Sequence, residues 1–125
     1  MWVCYGENNR MTASKHNIVV EAGATFNLSI VWKDSLGEPI DLTDCSARMQ
    51  IRQKVSSDTY YVSLTSEAGD ITLGDELGTI DVKISSDDTE TILTGGVYDL
   101  EVVMSNDDVV RLLYGNVELR KNVTR

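Results

Sequence analysis

The chain is poor in the groups that carry most catalysis. It has one histidine, His16, two cysteines, one proline and one phenylalanine among 125 residues. A nucleophilic triad needs a base, usually histidine, beside a serine or cysteine. His16 and Cys4 lie in a polar N-terminal stretch with no glycine-rich loop or strand-to-helix elbow. A structural zinc site asks for about four Cys, His or carboxylate ligands at characteristic spacing, which one histidine and two distant cysteines do not supply. No GxGxxG and no GxxxxGK[ST] occurs, so a phosphate-cradling loop is not expected. The chain is therefore expected to be no enzyme and to hold no cofactor or metal.

Other absences narrow the setting. No run approaches the ~20 apolar residues that cross a bilayer, and MWVCYGENNRMTASKH has no apolar stretch of the signal-peptide type. The two sequons, at Asn27 and Asn122, then carry no expectation of glycosylation. Cys4 and Cys45 (the latter in the turn-like DLTDCS) read as free thiols of a reducing cytoplasm. The net charge is −9, with eleven Lys and Arg against twenty Asp and Glu. Such a surface repels phosphate backbones, so neither nucleic acid nor a membrane is an expected partner. A basic partner, or solubility before assembly, fits better.

What is present is a period of two. Phe26, Leu28, Ile30 and Trp32 alternate with polar residues over Thr25 to Trp32. Ala47, Met49 and Ile51 do so over Ser46 to Arg52, and Ile80, Val82 and Ile84 over Thr79 to Ile84. Tyr98, Leu100, Val102 and Met104 repeat it over Val97 to Met104. Shorter strands are predicted at His16 to Val20, Tyr60 to Leu64, Ile71 to Leu73, Val109 to Tyr114 and Asn116 to Leu119. Turn residues separate them at Asp34 to Pro39, Glu67 to Asp70, Gly74 to Gly78 and Ser105 to Asp108. Only Ser85 to Leu93 reads as helical, a short connector with Ser86 as its cap. The pattern predicts one all-β domain, an immunoglobulin-like antiparallel β-sandwich of seven to nine strands over residues 11–125. Residues 1–10 are expected to form an N-terminal arm outside it.

Carboxylates cluster at Asp75 with Glu76, at Asp87, Asp88 and Glu90, and at Asp107 with Asp108. These read as solvated turns, since Asp bonds its own local backbone there, and none has the D-x-[DN]-x-[DN]-G spacing of a calcium loop. The more informative positions are apolar residues on predicted outward faces: Val31, Val97 and Val103. A contiguous strip of them would suit a second protein surface or cover by the arm. Trp2 and Tyr5 are the candidate anchors if the arm docks on another subunit.

Four segments are similar to one family when taken in order: GATFNLSIVWKD (Gly23 to Asp34), PIDLTDCSARMQIR (Pro39 to Arg52), GGVYDLEV (Gly95 to Val102) and RLLYGNVELRKNVTR (Arg111 to Arg125). Together they resemble the small β-sandwich domains of tailed-phage virion structural proteins, including the N-terminal domain of the baseplate upper protein. The resemblance implies a non-enzymatic virion component made in the bacterial host cytoplasm. It would act as an adaptor or connector at the baseplate or tail-fibre attachment point, in several copies bound symmetrically to other virion proteins. No receptor-binding region is expected to follow the domain, a departure from that pattern. A head-decorating protein and a carbohydrate- or receptor-binding sandwich module are the alternatives.

Overall fold

A computed structural model describes residues 2–5 and 13–124, without the side chains of Trp2 and Tyr5. Among the described residues ten strands follow one another: β1 (Trp2–Tyr5), β2 (Ser14–Lys15), β3 (Ile18–Glu21), β4 (Phe26–Lys33), β5 (Ser46–Arg52), β6 (Val62–Thr65), β7 (Ile71–Leu73), β8 (Thr79–Ile84), β9 (Gly96–Val103) and β10 (Val109–Arg120). They form two packed sheets. One has four strands in the order β1-β4-β8-β7; the other has six, in the order β2-β10-β9-β5-β6, with β3 following β2 along β10. The chain is thus an all-β sandwich, as its alternation predicts. If β4 to β10 are lettered B, C, C′, D, E, F and G, the sheets read B-E-D and G-F-C-C′, the strand order of an immunoglobulin-type fold.

The alternating apolar residues meet between the sheets. Ile30, Trp32, Ile51, Ile80, Ile84, Leu100 and Val102 are all fully buried. Each contributes roughly 1.5–3 kcal/mol of burial, with Trp32 the largest. The same alternation fixes register, because a one-residue slip would turn each set outward. The short helix α1 (Ser86–Thr89) connects β8 to β9. Its cap is Ser85, whose hydroxyl accepts from the Asp88 N–H at 3.2 Å, one residue before the expected cap. Thr89 is buried and ties α1 to the β3–β4 turn by accepting from Gly23 N–H and donating to the Ala24 carbonyl.

Three features differ from the expectation. First, the sheets are mixed: the central pairings are antiparallel, but β1 runs parallel to β4, and β2 and β3 run parallel to β10. Second, the predicted strands at Val109 to Tyr114 and Asn116 to Leu119 are one strand, β10. A bulge between Arg111 and Leu113 breaks the alternation, so Leu112 and Leu113 are both fully buried. An extra residue in one strand produces this change of phase. Third, residues 2–5 of the predicted outer arm are a strand of the sandwich. Cys4 is 1% exposed and pairs with Trp32; the apolar face of the β4 edge accounts for its placement. The rest of the expected arm, residues 1 and 6–10, lies outside the described residues.

β2 and β3 are separated by His16 and Asn17, where the backbone comes very close to β10. His16 N–H donates to the Tyr114 carbonyl at 2.8 Å, and the Asn17 side-chain oxygen accepts from Asn116 N–H at 3.0 Å, substituting for a ladder bond. A Cβ on Gly115 would lie 2.4 Å from the His16 carbonyl oxygen, so only glycine fits there. The buried Tyr98 hydroxyl donates to that same carbonyl, and burial pushes its phenol well above the ordinary value.

Candidate interaction surfaces

The sandwich presents two outer faces of different chemistry. On the six-stranded sheet, Arg48 and Gln50 of β5 lie beside Glu101 and Asp99 of β9, which in turn face Arg111 and Tyr114 of β10. Pairing across strands brings opposite charges together. Arg48 Nε lies 2.9 Å from Glu101 Oε1; Arg111 reaches Asp99 at 3.4 Å and Glu101 at 3.6 Å. Arg52 donates to the Gln50 side chain and to the Ser57 carbonyl, both at 2.8 Å. Arginine is suited to such a network because its planar fork holds two acceptors at once. A groove of about 350 Å³ runs along this face between Arg48, Gln50, Ser63, Thr65, Asp99 and Glu101.

Asp99 is the least comfortable member. Partial burial, and then the neighbouring Glu101, push its carboxyl above the ordinary range, against the pull of Arg111, Arg48 and Arg52. The ladder therefore holds a carboxylate that gains from a further donor. Exposed apolar surface adjoins it at Tyr114 of β10, 43% exposed and paired with Asp99; Val19 of β3, 42% exposed, lies farther along, paired with Glu118.

The opposite face, on the four-stranded sheet, is plain. Asn27, Ser29, Thr72, Asp81 and Lys83 point outward from β4, β7 and β8. Among the described residues every ion pair lies on the six-stranded sheet, and none on this one.

The sandwich ends also differ. Loops 34–45, 74–78 and 104–108 gather at one end, with eight Asp and Glu and no Lys or Arg. The three non-glycine residues with left-handed backbone among those described, Asp44, Asp75 and Asp107, all sit here, where Asp tolerates that conformation. Asp41 accepts from the Thr43 hydroxyl and N–H, which hold its carboxyl below the ordinary value. No group of three or more His, Cys, Asp or Glu among the described residues is arranged to hold a metal ion.

The five residues singled out in the sequence do not form one patch. Val31 is half-buried on the four-stranded sheet, flanked by Thr79 of β8 and Val3 of β1, so the N-terminal strand covers it. Val97 and Val103 are half-buried at opposite ends of β9 in the other sheet, with Asp99 and Glu101 between them. The contiguous valine strip is therefore replaced by a charged ladder. Trp2 and Tyr5 lie on β1, paired with Ile30 and Lys33; where their side chains anchor lies outside the described residues.

The ladder itself was missed although its members were visible as outward residues. Alternation gives the face of Arg48, Asp99 and Glu101, but not that β5 lies beside β9. Both cysteines are free, as expected, and burial raises both thiols above their ordinary value. No known family profile and no curated protein matches the chain.

Proposed function

We propose that this chain is a non-enzymatic structural protein of a tailed-phage particle, an adaptor that joins other virion proteins at the baseplate or fibre attachment point. The observation that carries an assembly role is the ladder Arg48–Glu101–Arg111–Asp99. It is a broad face of pre-paired charges around a groove, with the exposed Tyr114 beside Asp99. Charges already ordered lose little freedom on binding, and complementary charge sets register and rejects wrong partners. The four segments that resemble phage sandwich domains support the particular setting. They fall on β4, β5, β9 and β10, the strands that build the centre of the two sheets.

Mass spectrometry of purified particles from the phage or prophage that encodes the chain tests this reading. The expected result is the intact chain at a fixed ratio to the tail proteins. Particles of full infectivity that lack it would overturn the proposal.

A second reading, a saccharide-binding module, is favoured by one arrangement: the exposed Tyr114 ring stands next to Asp99 at the edge of the polar groove. Retention on a glycan array, abolished by Tyr114→Ala, would select it.

A further inference from the structure

Charge is spread very unevenly over the sandwich. The strands of the six-stranded sheet turn five Lys and Arg outward against four Asp and Glu. All the other described residues together hold four Lys and Arg against fifteen Asp and Glu. Two copies of so acidic a chain repel one another in most approaches. Across this one face the charges balance, and that repulsion is absent.

The signs are also placed so that a second copy matches them. β9 and β10 pair Val103 with Val109, Glu101 with Arg111, Asp99 with Tyr114 and Val97 with Asn116. All eight side chains stand on the outer face. A two-fold axis running along the strands, in front of the face and midway between β9 and β10, lays β9 of one copy over β10 of the other, row for row. Glu101 then meets Arg111 of the second copy, Asp99 meets its Tyr114, and Val103 meets its exposed Val109, each contact occurring twice. An axis along β9 itself would instead set Glu101 against Glu101 and Arg48 against Arg111, which like charges reject.

The face is large enough for such a contact. Overlap of four strands, about 4.8 Å apart, over the eight residues of β9 covers roughly 20 Å by 27 Å. Two such footprints make about 1,100 Å², which a specific contact of modest affinity needs.

We propose that two copies of this chain pair through the outer face of the six-stranded sheet, around a two-fold axis between β9 and β10. This rests on the assembly reading and names the partner that the charged face meets. The pair offers two copies of every other surface, so it holds an unlike virion protein more firmly than a single chain does.

Exchanging charge between two variants tests it. Glu101→Arg makes positions 101 and 111 both basic, and Arg111→Glu makes both acidic. Sedimentation velocity is run at high micromolar concentration on the natural chain, on each variant alone and on their equimolar mixture. The natural chain is expected to be a dimer. Each variant alone should pair at least about tenfold more weakly, and the mixture should recover the dimer because the opposed rows are again complementary. A defect of the fold would not be cured by mixing. A natural chain that stays monomeric, variants that pair as well as it does, or a mixture that stays monomeric would overturn the proposal.

If either variant fails to fold, as judged by its melting curve, Tyr114→Asp takes its place at an exposed position opposite Asp99 of the second copy. A monomer supports pairing, and an undiminished dimer overturns it. A natural chain that is monomeric yet joins virion proteins rejects pairing and leaves the assembly reading standing. A dimer that is absent from particles does the reverse.

Discussion

The two outer faces of the sandwich share one core and diverge completely in their surface chemistry. On the six-stranded sheet, Arg48, Glu101, Arg111 and Asp99 are tied across three strands. On the four-stranded sheet the outward residues are Asn27, Ser29, Thr72, Asp81 and Lys83, with no ion pair among the described residues. Their N-terminal edges differ as well. The edge made by β2 and β3 is bonded to β9 by Tyr98 and seated on Gly115, whereas β1 has β4 as its one strand neighbour and meets the facing sheet through Cys4. The charged face is the one the proposed assembly role uses, and the plain face is its internal control.

Surface ion pairs of this exposure contribute little to stability, about 0–1 kcal/mol each. The ladder therefore holds little together, and the proposed function gives it a partner to meet. That view makes the two faces unequal under mutation, while the shared core underlies both.

The largest effect is expected where the faces cannot be separated. Leu100→Ala in β9 removes a fully buried side chain and should cost about 2–5 kcal/mol, lowering the midpoint of thermal unfolding by around 10 °C; loss of less than a degree would show that the core lies elsewhere. Next comes the edge. Tyr98→Phe deletes the hydroxyl that donates to the His16 carbonyl and should cost about 1 kcal/mol, with faster amide exchange confined to β2 and β3. Exchange quickened equally at β1 would erase the distinction between the edges.

The charge-reversal pair sharpens the comparison of the faces. Arg48→Glu with Arg111→Glu should weaken capture by virion partners at least tenfold, with a stability change within about 1 kcal/mol. Lys83→Glu, on the plain face, should leave capture unchanged in the same pull-down. The smallest effect concerns Asp99, whose carboxyl is raised by burial and by Glu101. A raised folded-state value means that its ionised form disfavours the fold, a loss that sets in as pH rises through that value. Asp99→Asn should therefore be neutral to stabilising at pH 7, by no more than about 0.5 kcal/mol given its exposure. The gain should vanish below the ordinary aspartate value of 3.8, where Asp99 is protonated in both states; melting curves at the two pH values measure it.

The fold was legible wherever alternation was unbroken. Ser46–Arg52, Ile71–Leu73 and Thr79–Ile84 carry their strand bounds in the pattern alone. It failed where a long-range contact decides local structure. Leu112 and Leu113 are both inside because of a bulge, which made one strand read as two. The stretch WVCY is a strand because Ile30 to Lys33 lie free to pair with it, twenty-eight positions further on, and nothing local announces that. The ladder shows the same limit. Arg48 and Glu101 each point outward by their own alternation, but they become a pair only when β5 and β9 become neighbours. The valine strip failed for the complementary reason, since Val31 and Val103 lie in different sheets.

The central claim is that this domain assembles with virion proteins through its charged face. Light scattering of the purified chain, mixed in turn with the proteins encoded by its neighbouring genes, tests it most directly. The account predicts a stable complex holding several copies of the chain, which dissociates when Arg48 and Arg111 are both changed to Glu. A monomer mass in every mixture, or a complex unaffected by that double change, would contradict it.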